Sequence, residues 1–361
     1  MGDPVRRGGI RVLIVDDSAV VRQVLTTILS QERGLEVASA PNPIIAFTKM
    51  EKERPDVILL DIEMPQMDGL TFLQKVMAAN PLPVVICSGH AGRDSVNAIR
   101  ALELGAVEII NKPMLGVQEF LYESALLITD TVKAASQAKL RTRKNPPLQA
   151  EPRLTADAVL PAPAKNLKLA PTDRIVALGA STGGTEALCF VLAAMPSDAP
   201  GIVLVQHMPE GFTKAFADRV NGQCEIEVQE ASSGDEVLRG RALIAPGNKH
   251  MIVHRREGRY FVDTVSGPLV SRHRPSVDVL FRSVTKSAGA NAVGVLMTGM
   301  GDDGAAGLLE MKQAGARTAA QDQASCVVYG MPKEAMDIGA AEDEVPLRSI
   351  PSWILKASRR S

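Results

Sequence analysis

The second half of the chain holds a serine within a glycine-rich turn. Gly179-Ala-Ser181-Thr-Gly183 fits the pattern G-x-S-x-G, between a strand-like apolar run at 175–178 and a helix predicted to begin near Thr185. A sharp turn of this kind lifts a serine hydroxyl above the edge of a sheet, and the helix N-terminus directs backbone N–H groups at developing negative charge. The pattern predicts a nucleophilic serine. Glycine-rich turns also bind phosphate, and the turn alone leaves that alternative open.

A serine nucleophile needs a base, and the sequence offers five histidines. His207 comes just after the apolar run at 202–205, so we expect it at the same carboxyl edge of a parallel sheet as Ser181. Of the other histidines, His90 lies in the first half of the chain, and His250 and His254 lie in a β-rich segment. His273 lies in a basic segment. A structural role is the ordinary one for a lone histidine, but the shared edge favours His207 as the general base.

A carboxylate that orients the base would complete a catalytic triad. Asp302 and Asp303 follow the apolar run at 293–297, again at the predicted carboxyl edge. The chain order serine, histidine, aspartate differs from the order serine, aspartate, histidine of the α/β-hydrolases, so the sequence does not fit that superfamily. The residues predict an acyl-transfer site and leave open which aspartate orients the base.

Acidic and polar residues also end strands predicted in the first half of the chain. They are Asp16, Asp17, Asp61, Ser88 and Lys112. Because the carboxyl ends of parallel strands share one edge, these groups can converge there. Three carboxylates without a counter-charge repel one another, and Mg²⁺ favours carboxylates together with water and phosphate oxygens. A carboxylate beside Mg²⁺ can attack phosphorus, while a lysine and a hydroxyl hold the phosphoryl oxygens. Each residue alone fits an ordinary loop cap, but together they predict a phosphorylation site.

Both halves of the chain alternate strand-like and helix-like segments. The first half predicts a flavodoxin-like α/β domain, a doubly wound, five-stranded parallel sheet. Ser18 is expected to cap its first helix and Gly34 to close that helix. The second half predicts a doubly wound, mostly parallel α/β domain with a β-rich segment at 226–265 and a hairpin at 256–259.

A proline-rich stretch at 139–172 separates the two halves and lacks apolar periodicity, which is typical of an extended linker. A length of 361 residues agrees with two domains. We therefore predict a first domain at residues 1–130, a linker at 131–172 and a second domain at 173–361.

The composition excludes several classes of protein. Lys and Arg number 40 against 41 Asp and Glu, and aromatic residues make up 3%, which argues against nucleic-acid binding. The four cysteines are far apart, so a zinc ribbon or a disulfide framework is not expected. The sequence shows neither a signal peptide nor an apolar run that could span a bilayer. We expect a cytoplasmic protein that does not insert into membranes.

The first half resembles the receiver domain of two-component response regulators over about residues 10–130. The motifs that carry the resemblance are Val15-Asp-Asp-Ser18, Asp61-Ile-Glu-Met-Pro65, Met67-Asp-Gly69, Ser88 and Lys112-Pro113. Two positions depart from the usual pattern. Ile109 stands where receivers often carry an aromatic residue, and the pair Gly89-His90 is unusual. These departures bear on how the switch is read out and leave the phosphorylation chemistry untouched.

This resemblance implies phosphorylation of Asp61 in the presence of Mg²⁺. The implied metal-site residues are Asp16, Asp17, Asp61 and the backbone carbonyl of Glu63. Asp17 and Asp61 are the direct side-chain ligands in this picture, and Asp16 supports them. Ser88 and Lys112 are implied to transmit the phosphorylation.

The second half resembles the catalytic domain of chemotaxis protein-glutamate methylesterases, the CheB family, over about residues 172–345. The matching stretches are Gly179-Ala-Ser-Thr-Gly-Gly-Thr185, Gln206-His-Met208, Ile244-Ala-Pro-Gly247, Arg272-His-Arg-Pro-Ser-Val-Asp278, Thr298-Gly-Met-Gly-Asp-Asp-Gly304 and Ala324-Ser-Cys-Val-Val-Tyr-Gly-Met-Pro332. The resemblance implies Ser181 as nucleophile, His207 as base and Asp303 as the orienting carboxylate. Asp303 is chosen because the family pattern is G-M-G-x-D-G, in which Asp302 fills the variable position. The backbone N–H of Met300 is implied as an oxyanion donor, and the esterase site is expected to need no cofactor.

The implied function is a phosphorylation-regulated serine esterase. It would hydrolyse glutamate methyl esters on methyl-accepting chemoreceptors and deamidate receptor glutamines, with a chemotaxis histidine kinase as phosphodonor. Arg272 and Arg274 are candidate contacts for an acidic receptor surface, with an ordinary structural role as the alternative. The architecture suggests that the unphosphorylated receiver covers the triad. A catalytically silent, receptor-binding response regulator is the alternative function, and a DNA-binding output is disfavoured because no helix-turn-helix pattern is present.

Overall fold

The computed structural model describes residues 9–65, 67–89, 93–113, 118–140 and 170–359. The first domain has the strands β1 (Ile10–Val15), β2 (Leu35–Ala40), β3 (Val57–Leu60), β4 (Val84–Ser88) and β5 (Glu108–Asn111). Its helices are α1 (Ala19–Ser30), α2 (Pro43–Lys52), α3 (Gly69–Ala79), α4 (Arg93–Glu103) and α5 (Gln118–Ser136). The strands are all parallel and lie in the order β2-β1-β3-β4-β5, which confirms the flavodoxin-like sheet.

Helix α1 shows how this domain begins and where the sequence prediction was wrong. Ser18 caps the helix, because its Oγ accepts a hydrogen bond from Val21 N at 3.4 Å, as predicted. The helix ends at Ser30, and Gln31 follows it with a right-handed backbone. Gly34 does not close the helix. It takes φ 87° in the turn that leads into β2, where the left-handed conformation is needed.

The second domain contains the larger sheet. Its strands are β6 (Ala170–Pro171), β7 (Ile175–Ala180), β8 (Gly201–Gln206), β9 (Glu227–Glu230), β10 (Leu238–Arg239), β11 (Arg241–Ile244), β12 (His250–Arg256), β13 (Arg259–Val265), β14 (Ala292–Leu296), β15 (Arg317–Gln321) and β16 (Asp343–Val345). Its helices are α6 (Gly184–Ala193), α7 (Thr213–Asn221), α8 (Val277–Ala288), α9 (Ala305–Gln313), α10 (Met331–Asp337) and α11 (Ile350–Ala357). Seven strands form a parallel sheet in the order β16-β15-β14-β7-β8-β11-β9. The strands β12 and β13 form the predicted hairpin.

Helix α8 packs closely against the end of β7 and against the turn that follows β14. A Cβ added to Gly179 would lie 2.2 Å from Cγ1 of Val277, and one added to Gly304 would lie 2.5 Å from the same atom. Only glycine leaves room for this approach. The N-terminus of α8 is thereby brought to the carboxyl edge of the sheet.

The described residues on either side of the predicted linker differ from the prediction. Helix α5 extends to Ser136, so residues 131–136 belong to the last helix of the first domain. Strand β6 pairs with β10, so residues 170–171 are part of the second domain. Residues 141–169 lie outside the described residues, as does His90. The four cysteines are buried and form no disulfide in the part of the chain that the structure describes, and no helix in the described ranges is apolar and long enough to cross a bilayer.

Candidate active site

Ser181 stands at the carboxyl end of β7, where the chain turns into α6. The register of the sheet pairs Ala180 of β7 with Gln206 of β8. Ser181 N donates a hydrogen bond to the Thr298 carbonyl at 3.0 Å, and Gln206 Nε2 donates one to the Ser181 carbonyl at 3.0 Å. The backbone of the serine is therefore fixed from both neighbouring strands.

His207 is the first residue beyond β8, as Ser181 is the first beyond β7. Its backbone N–H donates to the Ala180 carbonyl at 3.1 Å, which keeps the two residues side by side. On the ring, Nε2 lies 2.7 Å from Oδ2 of Asp303, whereas the buried Nδ1 has no hydrogen-bond partner among the described residues. A proton on Nε2 that points at the carboxylate leaves the lone pair on Nδ1, where a base beside Ser181 needs it.

Asp303 lies in the turn after β14 and is 1% exposed. Its carboxylate accepts hydrogen bonds from Ser276 Oγ at 2.7 Å, Val277 N at 2.7 Å and Asp278 N at 3.0 Å, at the N-terminus of α8. Burial alone would raise the pKa of Asp303, but the hydrogen bond and charge of His207 and these backbone N–H groups hold that pKa below its usual range. Asp303 is therefore ionised and fixed in place.

The turn after β14 also carries the other two residues that the sequence analysis considered. Asp302 is exposed, so of the two aspartates the structure brings only Asp303 to the histidine. A Cβ added to Gly299 would lie 2.7 Å from Cβ of Ser181, so this turn touches the serine. Met300 directly follows Gly299 in the chain, so its backbone is joined to the residue that touches Ser181.

His273 was not assigned to the site from the sequence, yet the structure stacks it on His207. The ring centroids are 3.6 Å apart and the ring planes differ by 8°. His273 lies between β13 and α8, outside the regular elements, so no spacing rule points to it. The available signals were its place in the basic segment Arg272-His-Arg274 and in the stretch 272–278 that matches the CheB family.

The three aspartates predicted at the edge of the first sheet converge. One carboxylate oxygen from each of Asp16, Asp17 and Asp61 lies within 4.8 Å of the others. Lys112 Nζ lies 2.7 Å from Oδ2 of Asp61 and 3.2 Å from Oδ2 of Asp16. Burial raises the pKa of Asp61, although the hydrogen bond and charge of Lys112 act against this. One ammonium group facing three carboxylates leaves negative charge to be balanced, and this all-oxygen donor set fits Mg²⁺.

The remaining predicted residues of this site surround Asp61. Glu63 N donates a hydrogen bond to Oδ1 of Asp61 at 3.3 Å, so the chain after β3 folds back over the carboxylate. Ser88 is buried at the end of β4, and its carbonyl accepts a hydrogen bond from Lys112 N at 2.9 Å. The structure therefore brings together all the residues predicted for phosphorylation.

Comparison with known proteins matches a different family to each half of the chain. The family described as response regulator receiver domain matches residues 12–121, and the family described as CheB methylesterase matches residues 176–354. A protein-glutamate methylesterase/protein-glutamine glutaminase of Rhodospirillum rubrum is 56% identical over 97% of this chain and 99% of its own length. A protein of the same name from Geobacter metallireducens is 56% identical over 96% of this chain and 98% of its own length. The chain belongs to the CheB family.

A solved structure agrees with this assignment for the CheB esterase domain. The crystal structure of the Thermotoga maritima CheB methylesterase catalytic domain is 36% identical, with a TM-score of 0.50. It covers 51% of this chain, and the match covers 97% of that domain. Both resemblances seen in the sequence, and the two α/β folds that they implied, are confirmed.

In this CheB-family chain the receiver lies against the turn that carries Ser181. Val327 of the esterase domain packs against the receiver core, and its carbonyl accepts a hydrogen bond from Lys139 N at 3.1 Å. A Cβ added to Gly183 would lie 2.5 Å from Cβ of Val327, so Val327 touches the serine turn as well. Ion pairs between described residues also join the domains: Arg219–Glu103 at 2.9 Å and Arg272–Asp130 at 2.9 Å.

Glu108 is a buried carboxyl group at the same interface, and the sequence analysis missed it. It is 5% exposed, its Oε1 accepts a hydrogen bond from Ile109 N at 3.2 Å, and its side chain is hydrogen-bonded to that of Thr182. Burial raises the pKa of Glu108 to about 8. The receiver therefore contacts, through a neutral carboxyl group, the residue next to Ser181.

Proposed function

We propose that the protein is a phosphorylation-regulated serine esterase that hydrolyses glutamate methyl esters on chemoreceptors and deamidates receptor glutamines. The observation that carries the proposal is the orientation of His207, which is hydrogen-bonded through its backbone to Ala180, the residue before Ser181. Its Nε2 is held by Asp303, and its buried Nδ1 has no partner within the described ranges. The alternative, a silent receptor-binding role, has no support in an arrangement that retains every group needed for catalysis.

In the acylation step, Ser181 Oγ attacks the ester carbonyl while His207 Nδ1 takes the hydroxyl proton. Asp303 stabilises the imidazolium that forms and does not itself become protonated. The negative charge on the tetrahedral oxygen is stabilised by the backbone N–H of Met300. The imidazolium returns its proton to the departing methoxide oxygen, methanol leaves, and the glutamyl group remains esterified to the serine.

In the deacylation step, water attacks the acyl-enzyme and His207 accepts its proton. The glutamate carboxylate is released and the serine hydroxyl is restored. With a glutamine side chain the same steps expel ammonia in place of methanol, and the product is the same glutamate. One triad thus accounts for both activities named in the curated relatives.

We place the phosphorylated group at Asp61 and the Mg²⁺ site at Asp16, Asp17, Asp61 and the carbonyl of Glu63. When bound, the ion neutralises charge on the phosphoryl oxygens and on the carboxylates. Lys112 is positioned to pair with a phosphoryl group on Asp61, and Ser88 ends the neighbouring strand. A chemotaxis histidine kinase is the proposed phosphodonor, and the cytoplasm is the proposed location.

The receiver controls the esterase by covering it. Support comes from the contacts of Val327, Glu108 and Asp130, which join the receiver to the serine turn and to the segment of His273.

Of the two arginines considered as receptor contacts, Arg274 is bound to Asn248 Oδ1 and the Gly267 carbonyl. Arg272 instead pairs with Asp130 of the receiver.

The test is methanol release from membranes that contain methylated chemoreceptors, with the intact protein, a small-molecule phosphodonor and Mg²⁺. Ser181→Ala is expected to lower the rate by at least about 10³-fold, because the nucleophile is lost. Ser233→Ala is the matched control, since Ser233 is an exposed serine on the same domain and should leave the rate unchanged. Release that persists in Ser181→Ala would mean that another residue is the nucleophile. No release from the intact protein would favour the silent receptor-binding role.

A further inference from the structure

His273 lies on a two-residue turn with an unusual backbone. Val270 and His273 exchange two backbone hydrogen bonds, at 3.1 and 2.9 Å. The two residues between them, Ser271 and Arg272, take φ values of 48° and 66°, in a region that side-chain-bearing residues adopt at a cost. Neither position is glycine. A turn held in this way fixes the direction of the ring that follows it.

The His273 ring is fixed at one edge as well as at one face. Its Nδ1 donates to the Ser271 carbonyl at 2.7 Å, which puts the ring proton on Nδ1. One face is stacked on His207, with centroids 3.6 Å apart. The ring is therefore held by its own turn and is not free to follow a movement of His207.

Burial, together with the charges of neighbouring groups, keeps His273 neutral. Burial lowers its pKa to about 3, and the charges of His207 and Arg272 act in the same direction. Asp303 and the hydrogen bond to Ser271 act in the opposite direction but do not outweigh them. Above about pH 4 the group facing the catalytic base is thus an uncharged aromatic ring.

We propose that His273 is a positioning residue of the esterase reaction, whose neutral ring holds His207 in the plane that joins Asp303 to Ser181. The proposal rests on the triad assigned above. The Asp303 hydrogen bond fixes one atom of the His207 ring, and a flat, immobile neighbour on its face fixes the plane. When His207 accepts the serine proton, the neutral π-face attracts the new cation instead of repelling it. A base displaced by about 1 Å loses on the order of 10² in rate.

Three variants of the full-length protein separate the ring from its hydrogen bond. His273→Phe keeps the flat ring, His273→Asn keeps a donor for the Ser271 carbonyl without the ring, and His273→Ala removes both. We expect His273→Phe to retain kcat within about fivefold, and the other two to lose about 10²-fold in kcat with KM changed by less than about threefold. The pH profile of kcat/KM should be the same for His273→Phe and wild type, because position 273 is neutral in both.

His254 provides the matched control, because it is also a histidine stacked on an aromatic ring, Phe261, and paired with a carboxylate, Asp263. His254 lies in the hairpin, so the variant His254→Ala should leave kcat unchanged. Wild-type kcat in a folded His273→Ala or His273→Asn would overturn the proposal. Equal losses in His273→Phe and His273→Asn would also overturn it, since the flat ring would then not be the active feature. Should His273→Ala unfold, the comparison of Phe with Asn still decides.

A serine-directed fluorophosphonate separates this proposal from the proposed function. Labelling of Ser181 in wild type, with slower labelling in His273→Asn and normal labelling in His273→Phe, supports both. Labelling of Ser181 at the same rate in all variants retains the nucleophile and rejects the role of His273. If wild type hydrolyses ester while Ser181 stays unlabelled, the triad assignment itself has failed.

Discussion

At the scale of single residues, Asp303 connects the catalytic base to the fold. The same carboxylate that meets His207 Nε2 also caps α8 through Ser276, Val277 and Asp278. These four donors compensate the burial of a charge that would otherwise be costly. The position of the base is therefore tied to the start of a helix and does not depend on a mobile side chain.

Replacing Asp303 by Asn tests this connection. An amide fits the same space but can donate a hydrogen bond to Nε2, which moves the ring proton of His207 to Nδ1 and removes the base from Ser181. We expect Asp303→Asn to lower kcat by about 10⁴-fold with little change in KM, as measured by methanol release. Asp302→Asn is the control, because Asp302 is exposed and should retain full activity. Similar losses of kcat in both variants would show that the orienting role does not belong to Asp303 alone.

The sequence could place Ser181, His207 and the pair Asp302-Asp303 at one edge because each follows a regular apolar strand, and strand ends meet at one edge of a parallel sheet. The choice of Asp303 over Asp302 came only from the resemblance to the CheB family. The same rule found the aspartates of the receiver. It could not find His273, whose position depends on a two-residue turn outside any strand. Nor could it find Glu108, because a carboxyl group within a buried strand is detected only when the opposing domain is in place.

At the scale of elements, β5 of the receiver and the turn after β7 meet through Glu108 and Thr182. The fold of each half was predictable from its alternation of strands and helices. The contact between the halves was not, because no periodicity in one domain specifies the surface of the other. The predicted start of the linker at residue 131 lies within α5, which ends at Ser136.

The buried carboxyl group makes this contact sensitive to pH. The pKa of Glu108 is about 8 in the closed arrangement, against 4.5 for an ordinary glutamate side chain. Between about pH 4.5 and pH 8, Glu108 holds a proton in the closed form and releases it in an open form where the side chain is hydrated. The closed form is therefore favoured below about pH 4.5 and loses stability progressively as the pH rises towards about 8. Rising pH should release the esterase even without phosphorylation.

We expect the ratio of unphosphorylated to phosphorylated esterase rates to increase between about pH 5 and pH 8 in the wild-type chain and to level off above about pH 8. In Glu108→Gln the ratio should be flat, because the amide stays neutral throughout. Taking the ratio cancels the pH dependence of the triad itself. Glu36→Gln, at an exposed position on β2, should behave like wild type. A wild-type ratio that does not change with pH would show that Glu108 stays protonated or exposed in both forms.

At the scale of the whole molecule, the receiver can restrain the esterase only by the summed free energy of the contacts between the domains. The Arg272–Asp130 pair is one of these contacts, and the Arg272 side chain is 67% exposed. An exposed ion pair contributes about 1 kcal/mol at most, which is about fivefold in an equilibrium constant. Apolar packing between the domains must then supply much of the rest, because buried residues of α4 form one cluster with those of α6 and α7, and Val327 packs against the receiver core.

This division of free energy predicts two very different responses. Asp130→Asn in the full-length protein should raise the unphosphorylated esterase rate by no more than about fivefold, and the rise should shrink at high salt. Deletion of residues 1–140 removes every contact of the receiver at once and should raise the basal rate far more, to at least the phosphorylated level of the intact chain. If the deletion leaves the basal rate unchanged while Ser181 still labels normally, the receiver does not restrain the triad, and phosphorylation must act by delivering the esterase to its receptor.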